Sequence, residues 1–130
     1  LQNAYILVLT AALTDQTRGL LNAKALALLP DGAVIINIAR GGLLDLKALT
    51  MEVRRKRLRC ALDVTDPAEP LPLRHPLRKM PGAIITPHIA GGGLQVRRQI
   101  AKTVVDALEN FFHARPVQNR VTRKMLELMT

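Results

Sequence analysis

The chain has 130 residues, 48% of them hydrophobic and 22% charged, a balance that fits a packed globular domain and excludes a disordered or low-complexity chain. One Tyr, two Phe and no Trp leave aliphatic side chains to build the core and remove the stacking surfaces on which single-stranded nucleic-acid binders depend. The formal net charge of +9 invites a polyanion reading that must be judged by where the cations lie.

Tyr5–Leu9 is a short apolar run with the length of a strand covered on both sides. Thr10–Gly19 reads as a loop, and the Ala- and Leu-rich Leu20–Leu29 as a helix stopped by Pro30-Asp31-Gly32. The β-branched run Ala33–Ile38 is the second strand. Asp45 then stands as N-cap of a helix to about Arg57, with Leu46, Leu49 and Val53 as its core stripe. Leu58–Val64 makes a third strand, Pro67–Pro76 an irregular loop, and Ala83–Thr86 a fourth strand. A long helix from about Gly93 to His113 carries Val96, Ile100, Val104, Leu108 and Phe111 on one face. This alternation predicts an α/β fold with a doubly wound parallel sheet.

The lone Cys60 cannot form an internal disulfide, and its place in a strand predicts a buried, inert thiol. Apolar runs such as Ala25–Leu29 fall far short of the ~18 residues that span a bilayer, and no signal peptide is visible, so the expected setting is cytoplasmic, away from membranes. The chain begins at Leu1 inside a strand approach, which predicts a downstream piece of something longer.

Chemistry in parallel sheets gathers at the carboxyl ends of the strands. Arg40 follows the second strand, Asp63, Asp66 and Glu69 the third, and His88 the fourth. Side by side these give a guanidinium, carboxylates and an imidazole. Arg forks onto a carboxylate, and a His beside a carboxylate has its charged form favoured, which suits proton transfer near neutral pH. Each residue has a plainer reading as well. Arg40 could bridge to Asp45, Asp63 could accept loop N–H groups, Glu69 could be a surface charge, and His88 could be structural.

Three segments are specific. Asn37-Ile38-Ala39-Arg40-Gly41-Gly42-Leu43-Leu44-Asp45, Ala61–Pro72 and Thr86-Pro87-His88-Ile89-Ala90-Gly91-Gly92 closely resemble, in order and spacing, three consecutive signatures of the NAD-dependent D-2-hydroxyacid dehydrogenases. The resemblance extends upstream through Leu13–Leu20 and downstream to Asn119-Arg120-Val121, and it is nearest to the phosphoglycerate, glyoxylate and hydroxypyruvate reductase branch. It implies the second half of a Rossmann-like NAD(P)-binding domain over residues 1–113, with residues 114–130 returning to a substrate domain. It implies that Arg40 holds the substrate carboxylate and carbonyl, that His88 is the acid/base, and that Glu69 pairs with His88. By the same resemblance Asp63 holds the nicotinamide carboxamide. Ile38, Ala39, Ala90 and Gly91 line the cofactor by their backbones, while Thr10, Ala11, Ala12 and Thr17 lie near its adenosine half. The implied cofactor is NAD, with NADP open, the implied substrate a small 2-hydroxy or 2-oxo acid, and the implied parent a homodimer. No metal site is expected.

The chain departs from the family pattern in four places. The Glu of many relatives stands five residues after the Asp matched by Asp63; here that place is Ala68 and Glu69 is one further on, so Asp66 is the substitute partner for His88. Ala12 replaces a usual Pro, and Lys56 stands where a turn Gly is usual. No G-x-G-x-x-G occurs, so the phosphate cradle at a helix N-terminus is missing. The expectation is therefore an oxidoreductase whose 130 residues are inactive alone. Two other readings stand beside it. One is a basic nucleic-acid or polyanion module resting on Arg54-Arg55-Lys56-Arg57, Arg59, Arg97, Arg98, Lys102, Arg120, Arg123 and Lys124. Those cations lie on solvated helix faces without a zinc-finger or RNP motif. The other is a non-catalytic dinucleotide-sensing paralogue, against which retention of Arg40, Glu69 and His88 argues.

Overall fold

A computed structural model describes residues 1–126. Residues 127–130, the end of the expected 114–130 tail, lie outside the described residues. Strand β1 (Ile6–Leu9), helix α1 (Ala23–Ala27), β2 (Val34–Asn37), α2 (Leu46–Arg54), β3 (Arg59–Leu62), β4 (Ala83–Ile85), α3 (Leu94–Phe112) and α4 (Arg123–Leu126) follow in that order. Two 3₁₀ turns, Gly41–Leu43 and Pro76–Lys79, interrupt the loops. All strand pairs are parallel and the sheet order is β1-β2-β3-β4, with Ile36 between Val8 and Ala61 and Ile84 beside Ala61. The order runs one way, which is one wing of the Rossmann-like sheet the motifs imply.

Alternation along the strands sends Leu9, Ile35, Cys60 and Leu62 to one face, where they cluster with Leu26 and Leu29 around α1 and with Leu49 and Val53 of α2. Each such leucine, fully buried, contributes about 1.5–3 kcal/mol of transfer free energy. Helix α2 starts where expected, because the Asp45 side chain accepts from the Ala48 N–H at 2.9 Å. Helix α1 is shorter than the expected Leu20–Leu29. Leu21 is drawn into a bridge with Leu44, and Asn22 caps the helix by accepting from Ala25 N–H at 3.0 Å.

The opposite sheet face corrects the expectation that β1 is covered on both sides: Ile6 and Val8, with Ile84 of β4, are exposed. Helix α3 stands within a residue of its expected bounds at each end. Its apolar stripe Val96, Ile100, Val104, Leu108 and Phe111 is real as a pattern, yet no residue of the helix is buried.

Part of the positive charge is engaged internally. Arg57 donates to the carbonyls of Leu29 and Leu26 at 2.8 and 2.7 Å and pairs with Glu52, tying the end of α1 to α2. Arg78 donates from Nε to the Leu71 carbonyl at 2.9 Å. None of the described helices is long and apolar enough to cross a membrane.

Candidate active site

The carboxyl ends of β2, β3 and β4 lie along one rim of the sheet, so the loops leaving them converge there. The loop after β2 turns at once on a side chain. Asn37, fully buried, donates from Nδ2 to the Arg40 carbonyl at 3.0 Å and accepts from the Ala39 N–H at 3.1 Å. Ile38 and Arg40 are left exposed at the rim. The Arg40 guanidinium donates to the Ala39 carbonyl at 2.8 Å, and the plainer bridge to Asp45 is absent. A neighbouring constraint sets how close this loop lies to the next. A Cβ at Gly41 would stand 2.2 Å from the Thr65 carbonyl carbon, so only glycine fits.

The loop after β3 carries the acidic residues apart. Asp66 turns toward Arg18 at 4.0 Å, an exposed pair of little energetic weight. Glu69 turns the other way. Its Oε2 accepts from the Thr65 N–H at 3.1 Å, and its Oε1 meets His88 Nδ1 in a short contact. The Thr65 hydroxyl donates to the Ala68 carbonyl at 2.6 Å. The carboxylate beside the imidazole is therefore that of Glu69. The Glu69 and His88 side chains are one-third and one-half exposed.

Asp63 holds the loop after β4. Its Oδ1 accepts from the Thr86 hydroxyl at 2.5 Å and from the Ile89 N–H at 2.9 Å, its Oδ2 accepts from the Ala90 N–H at 2.9 Å, and its backbone carbonyl accepts from the His88 N–H at 2.9 Å. His88 itself adopts φ of 57°, a left-handed conformation that costs a non-glycine residue about 1–2 kcal/mol and persists only where neighbours determine it. Burial alone would raise the Asp63 pKa. The Thr86 hydroxyl, the Ala90 and Ile89 amides and the nearby His88 charge together outweigh it and hold the carboxyl below its usual value. A carboxylate has about four acceptor positions, and with one bond on Oδ2 there is room for another donor.

The remaining expected cofactor contacts are at the same rim. Thr10, Ala11, Ala90 and Gly91 are exposed, and Ala12 and Ala39 half-buried. Thr17 is engaged with its own loop, its hydroxyl donating to the Ala12 carbonyl at 2.7 Å. A cavity of about 740 Å³ lies elsewhere, between α2 and the Pro-rich loop, lined by residues such as Leu44, Met51, Ala68 and Leu71; neither Arg40 nor His88 faces it. No cluster of metal-ligating side chains occurs among the described residues. Sequence reasoning missed Asn37, Thr65 and Thr86, which hold the site's parts rather than reach for a ligand. Their only visible signal was a polar residue at the carboxyl end of an apolar strand.

Comparison with known proteins agrees with the fold. Residues 1–90 match the family model of the D-isomer specific 2-hydroxyacid dehydrogenase, NAD binding domain. The mitochondrial formate dehydrogenase of Hordeum vulgare is 32% identical over 92% of this chain and 32% of its own length. Glyoxylate/hydroxypyruvate reductase B of Escherichia fergusonii is 36% identical over 83% of this chain and 33% of its own length. A D-isomer specific 2-hydroxyacid dehydrogenase from Xanthobacter autotrophicus, crystallised with NADPH and MES, superposes with a TM-score of 0.82 at 38% identity, covering 95% of this chain and 50% of that one. The chain spans about a third of the length of these curated relatives. With its parallel sheet, its strand-end loops and this match over most of its length, the chain belongs to the D-isomer specific 2-hydroxyacid dehydrogenase family, within the NAD-binding domain.

Proposed function

We propose that this chain forms the acid–base and nicotinamide side of an enzyme that interconverts small D-2-hydroxy acids and 2-oxo acids. The observation that carries the reading is the Glu69–His88 contact at the rim that also presents Arg40. Bound NAD(P) supplies the hydride acceptor or donor. The Asp63 carboxylate, with its remaining acceptor position on Oδ2, fits a carboxamide N–H, and the exposed Ile38, Ala90 and Gly91 fit a flat ring and its ribose. Arg40 forks onto the substrate carboxylate and orients the carbonyl. His88, with Nδ1 on Glu69, presents Nε2 to take the hydroxyl proton on oxidation and return it on reduction, while Glu69 fixes the orientation of the ring.

Some relatives are formate dehydrogenases. Formate leaves as carbon dioxide when it gives up hydride and has no hydroxyl proton to surrender, so a Glu–His pair has no proton to move there. This pair favours a 2-oxo acid as substrate.

The 130 residues contain no G-x-G-x-x-G and so lack the pyrophosphate cradle of that motif; the chain by itself is proposed to be inactive. The test is NAD(P)H oxidation with glyoxylate and hydroxypyruvate. It is run on this chain and on a chimera in which this chain replaces its counterpart in the Escherichia fergusonii reductase. The chain alone is expected to give no turnover and the chimera to give turnover, lowered about 10²–10⁴-fold by His88→Asn and raised in KM by Arg40→Lys. Turnover by the chain alone overturns the inactivity. A chimera that stays active with His88→Asn, or that oxidises formate and reduces no 2-oxo acid, overturns the mechanism.

A further inference from the structure

We infer that Thr65 is the positioning residue of the site, the point at which the Arg40 loop and the Glu69–His88 pair are locked together; the inference rests on the acid–base reading above. Three separate contacts of one residue support it. The Thr65 N–H holds Glu69 Oε2 at 3.1 Å, which leaves Oε1 for His88. The Thr65 hydroxyl holds the Ala68 carbonyl at 2.6 Å, which fixes the backbone immediately before Glu69. The Thr65 carbonyl is where the Arg40 loop lands, at a distance that excludes any Cβ on Gly41.

Each contact answers a physical problem. A glutamate side chain on a loop has three rotatable bonds, and holding it in one rotamer is unfavourable in entropy. A second hydrogen bond to the same carboxylate, from an amide that is itself buried, offsets that cost and picks the rotamer in which the other oxygen faces the imidazole. Thr65 is 8% exposed, so its own end of each bond is withdrawn from competing water. The Gly41 contact then brings the guanidinium's loop against the loop of this carboxylate, backbone to backbone.

The test reads the imidazole itself and needs no turnover. Long-range proton–nitrogen correlation spectra of the ¹⁵N-labelled chain resolve the ring nitrogens of His75, His88 and His113, with His88 assigned by its absence in His88→Gln. In its neutral form the native His88 ring is expected to carry its proton on Nδ1, held by Glu69. Thr65→Val, which keeps the shape and removes the hydroxyl, is expected to release the ring to a mixture of tautomers, and Thr65→Ser to restore the native pattern. Glu69→Ala is a change at a partly exposed side chain and serves where Thr65→Val does not fold. There the Thr65 amide is expected to exchange with solvent about tenfold faster. A Thr65→Val protein with the native His88 pattern overturns the inference, as does an unchanged Thr65 exchange rate in Glu69→Ala. If the spectra behave as expected while the chimera tolerates His88→Asn, the positioning stands and the catalytic role of His88 falls. If His88→Asn abolishes turnover while the spectra ignore Thr65, only the inference falls.

Discussion

Replacing Asp63 by Asn tests whether one carboxylate holds the His88 loop. Three donors converge on the Asp63 side chain: the Thr86 hydroxyl, the Ile89 amide and the Ala90 amide. Asparagine offers one oxygen where Asp63 offers two, so an amide N–H₂ would face either the Ala90 N–H or the other two donors. Leaving one buried N–H unpaired costs about 1–3 kcal/mol, and the bonds that survive weaken by about half on losing the charge. Asp63 is 5% exposed but sits at the sheet rim with bonds that are only partly buried, so solvent screening trims the total to about 2 kcal/mol at neutral pH. The pH dependence has a fixed sign. Because the folded carboxyl sits below its usual value of 3.8, its contribution is full above that value and is lost as pH falls through the folded pKa. Urea melts of both proteins at neutral pH and at about pH 3 are expected to show a gap that narrows in acid. Native-like stability of Asp63→Asn at neutral pH, or a gap indifferent to pH, refutes the argument. In the destabilised variant the Ile89 and Ala90 amides are expected to lose exchange protection first.

Three further outcomes follow from single residues. Lys56 closes α2 at φ of 60°, with its N–H on Val53 and the Arg57 N–H on Glu52, so Lys56→Gly relieves a left-handed side chain and is expected to stabilise by about 1 kcal/mol, roughly 4 °C in a thermal melt. Burial pushes the Cys60 thiol up to about 12, so a thiol reagent at neutral pH is expected to leave the folded chain untouched and to label it in urea, with labelling at the native rate of a free cysteine counting against a closed core. Asn37→Ala leaves the Arg40 carbonyl and the Ala39 N–H without partners and is expected to cost about 2–4 kcal/mol by denaturant melts; a loss under 1 kcal/mol would mean that the turn does not depend on Asn37.

What could be read from residues alone, and what could not, follows from how far each signal reaches along the chain. The β-branched run ending at Ile38 and the Asp45 cap are local, and β2 and α2 stand within a few residues of their expected bounds. The stripe on α3 is equally clear, yet it states only that a face is apolar. What covers that face is a property of distant chain, and here the stripe is exposed, as are Ile6 and Val8 on the bare side of the sheet. The family motifs reached furthest. The strand order already brings Arg40, Glu69 and His88 to one edge, because strand-end loops in a parallel sheet must converge there, and the motifs add their roles. They could not decide between Asp66 and Glu69 as the partner of His88.

That choice depends on the path of a short loop, and the path is set by residues with no catalytic look. Once the Thr65 hydroxyl holds Ala68 and its amide holds Glu69, the loop leaves Asp66 on the Arg18 side and Glu69 on the His88 side. Asp63 then fixes the other partner, since the residue that directly follows β3 fastens the turn that carries His88. A carboxylate and an imidazole on separate flexible loops would meet only part of the time, and proton transfer needs them in register. Anchoring both loops to the residues that directly follow one buried strand removes most of that freedom, which is why the pair can form at a rim where its own side chains remain open to water.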